Sequence, residues 1–184
     1  MAFPSEQTLF DVVHPLAAQL GLDVEDIKTT KAGKKSQVII SVDGDKRPSS
    51  DDLENLSRTV GAAFDAAEEA GELNFGAGYT LEISTPGVDL PLTHPRHFRR
   101  NRGRLVVPHT QGGDKAESFR LGALSDDETR VIAVMQAKGT PQVEVKELAN
   151  IAPAMVEIEF AEVPATQKEI VGYDFASAAE LAAQ

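Results

Sequence analysis

Gly78-Tyr79-Thr80-Leu81-Glu82-Ile83-Ser84-Thr85-Pro86-Gly87-Val88-Asp89-Leu90-Pro91-Leu92 runs into Thr93-His94-Pro95-Arg96-His97-Phe98-Arg99-Arg100-Asn101-Arg102-Gly103-Arg104. Tyr79, Leu81 and Ile83 alternate with Thr80, Glu82 and Ser84, the period of a half-buried strand. Pro86-Gly87 stops that strand. Proline fixes φ and glycine accepts a positive φ, so a sharp turn is expected there. Pro91 and Pro95 stiffen the next residues and leave a helix little room to start before Pro95. Five arginines then fall within residues 94–104, with no acid among them. The chain is organised differently on the two sides of this stretch.

Upstream, residues 5–20 read as a helix with an apolar stripe of Leu9, Val12, Val13, Leu16, Ala17 and Leu20. Ser5 is its expected N-cap and Gly21 its stop. Pro15 predicts a kink or a second start. Strands are expected at 22–30 and 37–43, where Val38, Ile40 and Val42 alternate. Lys31-Ala32-Gly33-Lys34-Lys35 reads as the hairpin loop between them. Residues 49–70 predict a second helix, with Ser49 and Asp52 in a capping-box arrangement. Its core face is Leu53, Leu56, Val60, Ala63 or Phe64, and Ala67. With the strand at 79–85, the order is helix, strand, strand, helix, strand: one sheet covered by two helices.

Downstream the texture is β-rich. Short runs stand at 105–107, 117–124, 129–135, 142–147 and 155–160, with turns at 111–114, 125–127 and 138–141. Five such strands predict a small closed barrel. Residues 148–151 fit one helical turn. The pattern fades after about Ala161, and nothing in the sequence fixes residues 174–183 to a core. The fold class is therefore α+β. An N-terminal α/β domain spans 1–92, a small SH3/Sm-like β-barrel 93–162, and a flexible tail 163–184.

The 184 residues suffice for one large or two small domains. There is no cysteine, hence no disulfide framework or thiolate metal site, as suits a reducing cytoplasm. Met1 is followed by neither a basic nor an apolar leader region, so no signal peptide is expected. No apolar run approaches the ~20 residues that span a bilayer.

The net charge is −11, which argues against general nucleic-acid binding. Removing the five arginines of 94–104 from the 18 basic residues leaves 13 against 29 acidic ones, a net of −16. One positive segment thus sits on a strongly acidic body. Arg96, Arg99, Arg100, Arg102 and Arg104 are the candidate RNA-binding residues. Guanidinium groups suit bidentate phosphate contact, and Phe98 adds an aromatic for stacking. The five do not share one face, so about three can engage phosphate together. The plain alternative is pairing with the chain's own acids, although exposed pairs contribute only about 0–1 kcal/mol each. Glu157 and Glu159, pointing outward from Val156, Ile158 and Phe160, form with Asp126, Asp127 and Glu128 an acidic surface. It serves solubility or docks a basic protein.

Chemistry of other kinds is not supported. Gly33-Lys34-Lys35-Ser36 lacks the spacing of a phosphate loop, and Gly76-Ala77-Gly78 precedes a strand where a dinucleotide fingerprint follows one. Asp43-Gly44-Asp45 begins like a calcium loop but continues into Arg47 and Pro48. His94 and His97 have no evident third ligand. Ser84 has no nucleophile elbow around it. No metal, no cofactor and no catalysis are expected. Pro86, Gly87, Asp89 and Pro91 are assigned to an interdomain turn.

The order Leu81-Glu82-Ile83-Ser84-Thr85-Pro86-Gly87-Val88-Asp89, then Pro91-Leu92 and Pro95-Arg96-His97-Phe98-Arg99-Arg100, resembles the signature of the bacterial ribosome maturation factor P (RimP) family. At one position the chain departs: the family usually carries arginine where Leu90 stands. The resemblance implies an α/β domain followed by an SH3- or Sm-like barrel. It also implies a non-catalytic assembly factor for the small (30S) ribosomal subunit. Its partners would be the immature subunit, the decoding-region ribosomal protein and rRNA. A cytoplasmic monomer with no membrane attachment is expected. A free-standing RNA chaperone on an Sm-like barrel is the alternative. A hydrolase using Ser84 is a third reading.

Overall fold

The computed structural model describes residues 2–32, 34–109, 116–136 and 139–184. The turn expected at 111–114, and Gly33 and Lys138 of two other expected turns, lie outside these residues. The chain divides into two compact units, Met1–Pro86 and Gly87–Gln184.

The first unit follows its periodicity closely. Helix α1 (Glu6–Ala18) begins where Ser5 Oγ accepts a hydrogen bond from Thr8 N at 3.1 Å. It continues through Pro15 without a second start. Strands β1 (Asp23–Ala32) and β2 (Lys35–Asp43) pair antiparallel and extend into the residues expected as their loop. Helix α2 (Ser50–Glu69) starts on the expected capping box. Ser49 Oγ accepts from Asp52 N at 3.1 Å, and Asp52 Oδ2 accepts from Ser49 N at 2.9 Å. The bonds from Ser49 hold the Asp52 carboxyl below its ordinary range. Strand β3 (Tyr79–Ser84) pairs parallel to β2, the arrangement that a helical crossover permits. The sheet order is β1-β2-β3.

Register explains the core. Ile27 faces Ile40, and Val38 faces Leu81, so one side of the sheet is apolar across all three strands. Leu9, Val13 and Ala17 of α1, and Leu56, Val60 and Phe64 of α2, are buried against it. The choice between Ala63 and Phe64 falls to Phe64.

The second unit opens with a turn in which Leu90 N donates to Gly87 O at 3.4 Å. Gly87 does not use a positive φ, and a Cβ there would meet nothing within 4 Å. The expected reason for glycine at that position is thus corrected. Helix α3 (Pro95–Arg100) follows, a short element in what reads as a connector. Its signal was present: proline fits the first helical position, where its missing N–H costs nothing. Strands β4 (Leu105–Pro108), β5 (Phe119–Leu124), β6 (Arg130–Met135) and β7 (Gln142–Glu147) come next. Helix α4 (Leu148–Ile151) and β8 (Ala154–Val156) complete the sheet region. The strands form one antiparallel sheet of order β7-β6-β5-β4-β8.

This sheet is covered on both faces. Phe119, Leu121, Val131 and Ala133 share one core with Leu92, Phe98, Val106 and Leu148. Ala123, Ile132, Val134 and Val143 face the opposite way. Their cover is the segment read as a tail. Residues 163–184 contain α5 (Ala165–Val171) and α6 (Phe175–Ala182), with Ile170 and Ala178 buried in this second core. Asp174 Oδ1 caps α6, accepting from Ser177 N at 2.7 Å.

One expected strand is shorter than its sequence suggests. β8 stops at Val156, although 155–160 reads as a strand. The reason lies in β4, which begins only at Leu105; Glu157 N donates to Leu105 O at 2.9 Å, and the ladder has no further partner. Ile158 and Phe160, expected inside, are 60% and 98% exposed.

Gly122 marks a close approach within the sheet. A Cβ there would lie 2.8 Å from Ile132 Cβ and 2.9 Å from its Cγ2. Gly122→Ala is expected to destabilise by about 1–3 kcal/mol through overpacking, measured by chemical denaturation. Deleting residues 163–184 is expected to leave Ile132, Val134 and Val143 uncovered. Aggregation or apolar-dye binding by that truncation would show it; a soluble, cooperatively unfolding product would count against it.

Candidate nucleic-acid and protein interface

The arginines do not form a single free cluster. α3 is anchored by Phe98, which is 0% exposed. That burial corrects the expected aromatic stacking role: a ring in the core cannot receive a base. The same anchoring sets Arg96, Arg99 and Arg100 at the i, i+3 and i+4 positions of one helical turn, on neighbouring faces. Arg96 and Arg100 are half-buried and Arg99 is exposed. Arg99 Nη1 donates to Glu128 Oε1 at 2.6 Å. The basic segment and the acidic loop therefore meet here.

His97 organises the start of α3. Its Nδ1 accepts from Thr93 N at 3.0 Å and His94 N at 3.1 Å. The two imidazole rings are 5.2 Å apart and edge-on. Among the described residues no group of three His, Cys, Asp or Glu side chains is placed to hold a metal ion.

Arg102 has a structural task. Its Nε donates to Val171 O at 2.8 Å and its Nη2 to Tyr173 O at 2.7 Å. The last carbonyls of a helix lack intrahelical donors, and a cation there also offsets the helix dipole. Arg102 thus ties the connector to the end of α5. Gly103 follows at φ +92, a conformation that favours glycine. Gly103 N donates to Leu121 O at 2.8 Å, and Leu121 N to Arg104 O at 2.9 Å. The backbone of Arg104 is fixed to β5 while its side chain is exposed.

A sixth arginine, missed by sequence reasoning, is the most constrained of all. Arg120 on β5 is 2% exposed. Its Nη1 and Nη2 donate to the two Glu159 carboxylate oxygens at 2.7 and 2.6 Å. Nη1 also reaches Gly103 O at 2.9 Å, and Nε reaches Gln167 Oε1 at 2.8 Å. Gln167 Nε2 in turn donates to Gln136 Oε1. The signal was a lone cation inside the apolar run Phe119-Arg120-Leu121-Gly122-Ala123-Leu124. The hydrogen bond from Arg120 holds the Glu159 carboxyl below the ordinary glutamate range, against the opposing effect of burial.

Three carboxylates of the expected acidic surface, on Asp127, Glu128 and Glu159, are engaged within the molecule although their residues are exposed. Glu159 turns its carboxylate onto Arg120 while its side chain keeps 24% of its surface exposed. Asp127 Oδ1 accepts from Ser125 Oγ at 2.6 Å and from Thr129 Oγ1 at 2.8 Å, closing its own loop. Those bonds pull its carboxyl down to about 2. Asp126 and Glu157 stay exposed. Of the turn residues, Gly87 and Asp89 are exposed and Pro86 is half-buried. Ser84 ends β3 opposite Ser41.

Comparison with known proteins fits these features into one family. The family described as the RimP N-terminal domain matches residues 12–89. A protein of Corynebacterium aurimucosum named ribosome maturation factor RimP is 52% identical over 179 residues, covering 96% of this chain and 95% of the relative. A protein of the same name from Corynebacterium diphtheriae is 47% identical over 175 residues, covering 95% and 94%. The chain belongs to the RimP family. The N-terminal family match, ending at Asp89, takes in β3 and reaches the turn that begins the second unit. The arginine segment and Arg120 lie beyond it, within the full-length similarity to the relatives. No helix among the described residues is long and apolar enough to cross a membrane.

The Arg120–Glu159 pair gives this RimP-family chain an acid-sensitive second unit. Removing the Glu159 carboxylate leaves the buried Arg120 guanidinium without its counter-charge, so Glu159→Ala is expected to cost about 1–3 kcal/mol. The folded-state pKa of Glu159 is depressed. Its contribution is therefore present above its ordinary value of 4.5 and lost as pH falls through the folded value. Asp127 adds a loss between 3.8 and about 2. Urea unfolding across pH should fall below about pH 4.5, and Glu159→Gln should start lower and fall less. Parallel pH profiles for the two proteins would refute the assignment.

Proposed function

We propose that the protein is a non-catalytic factor in maturation of the small (30S) ribosomal subunit, acting as a monomer in the bacterial cytoplasm. The observation that carries this reading is the near full-length similarity to proteins named ribosome maturation factor RimP. Its physical form is recognition of two partner types by one molecule. A positive segment on an acidic chain favours rRNA phosphate locally while the remaining charge disfavours indiscriminate RNA binding. The acids of the second unit suit the decoding-region ribosomal protein, since ribosomal proteins carry the opposite charge.

The contributing arginines separate by role. Arg96, Arg99, Arg100 and Arg104 are the rRNA contacts in this proposal. Arg102, committed to the carbonyls of Val171 and Tyr173, supports them by fixing the connector. Pro86, Gly87, Asp89 and Pro91 hold the join between the α/β domain and the second domain. The five-stranded sheet of that domain is taken as an SH3/Sm-like barrel scaffold, with residues 163–184 packed on it. The high acidity weighs against a free-standing RNA chaperone, which needs strong binding to isolated RNA.

Co-sedimentation with immature small, mature small and large subunits across a salt series tests the proposal. Selective association with small subunits is expected. Absence of association by the folded protein at low salt would overturn it. Arg104→Glu is expected to weaken association and flatten its salt dependence by about one phosphate's worth, with the unfolding curve unchanged. Arg102→Ala is expected to lower stability by about 1–2 kcal/mol through two lost carbonyl contacts. Equal stability losses for both variants would remove the distinction between them.

A further inference from the structure

A cavity of about 230 Å³ opens at the end of the N-terminal sheet. Half-buried Phe3 is its accessible aromatic, backed by the buried Phe75. Phe3 meets Phe75 edge-on with ring centroids 5.6 Å apart, and Phe75 lies 4.2 Å from Tyr79 beneath. Lys31 and Lys34 stand at its rim beside Ser36. Strand register explains the grouping. Lys31 pairs with Ser36, and Ser36 with Tyr79, on the face that carries Val38 and Ile40 further along. The lysine emerges where that apolar face ends, and its Nζ lies 5.0 Å from the Phe3 centroid. Asn74 Oδ1 accepts from Gly76 N at 2.9 Å, which shapes the loop on the far wall.

The charge here is opposite to that of its surroundings. Residues 1–86 hold seven basic and fifteen acidic side chains, yet four of the seven are Lys28, Lys31, Lys34 and Lys35. No acid lies between Asp26 and Asp43. Lys28 is engaged by Asp26 at 3.8 Å. Lys31 and Lys34 take part in no ion pair among the described residues. Two ammonium groups over a cavity attract an anion. The half-buried Phe3 ring at the same place favours a flat, weakly polar group. Ser36 adds a hydroxyl that donates or accepts. Inorganic phosphate would use only the lysines, whereas a nucleotide uses every part.

We propose that this cavity binds one nucleotide of single-stranded RNA, its phosphate between Lys31 and Lys34 and its base or ribose against Phe3. The inference rests on the proposed function only for the source of the RNA. It gives the first unit an RNA contact independent of the arginines on the second.

The test uses the full-length, isotope-labelled protein titrated with a single-stranded RNA hexanucleotide and, separately, with inorganic phosphate. The amide resonances of Lys31, Lys34, Ser36, Gly76 and Ala77 are expected to shift together and saturate with RNA. Lys31→Ala with Lys34→Ala is expected to weaken binding about tenfold and make its salt dependence shallower by about 0.7, one single-strand phosphate contact's worth. Phe3→Ala is expected to weaken binding with the salt slope unchanged. Both lysines are exposed, so the double variant keeps its fold, which its spectrum verifies. Shifts confined to residues 94–104, equal shifts with inorganic phosphate, or wild-type affinity in the lysine variant would each overturn the inference. Failure of the proposed function shows separately: the hexanucleotide would still shift these amides while no ribosomal subunit co-sediments.

Discussion

Arg120 is the charge on which the second unit depends. A guanidinium cannot shed its proton at any ordinary pH, so a buried one must be matched by acceptors. Arg120 finds them on three other parts of the chain: the connector at Gly103, the segment after β8 at Glu159, and α5 at Gln167. Each acceptor is distant in sequence from β5. The pair itself contributes little net stability over an apolar substitute, because desolvation offsets most of the Coulomb gain. Its effect is to penalise any arrangement that leaves Arg120 unmatched.

Several features depend on that constraint. The Arg120 contact holds the Glu159 carboxylate against β5, and its neighbours Ile158 and Phe160 are exposed. Holding Gly103 O against Arg120 fixes the connector at the residue between Arg102 and Arg104. Both are exposed residues, and Arg102 meets the carbonyls of Val171, at the end of α5, and Tyr173 just beyond it. The geometry of the basic segment is thus set by a buried cation outside it.

The first unit was legible because each of its elements buries one face only. Helical stripes and strand alternation carry that information directly, as Leu56, Val60 and Phe64 or Val38, Ile40 and Val42 show. The second unit hid more. Val131-Ile132-Ala133-Val134 is apolar on both faces, which requires two covering layers. Residues 165–182 are the segment that supplies the second layer, yet their own small, alanine-rich stripe is too weak to announce it. Glu159 reads as an outward acid because alternation cannot reveal a buried cation two strands away in the sheet. α3 was obscured by the prolines around it, although Pro95 occupies a favoured helical position.

A run of five arginines therefore does not amount to five phosphate contacts. Phe98 spends its aromatic surface on the core, Arg102 holds a helix end, and Arg99 already meets Glu128. An exposed pair of that kind is worth only about 0–1 kcal/mol, so phosphate can displace Glu128 at little cost. Displacement would also release Glu128 beside Asp126, adding free negative charge to the loop just as the arginine is engaged. Binding of an anion on the basic segment and of a basic group on the acidic loop would then favour each other. This is linkage through a shared ion pair, and it needs no change of backbone conformation.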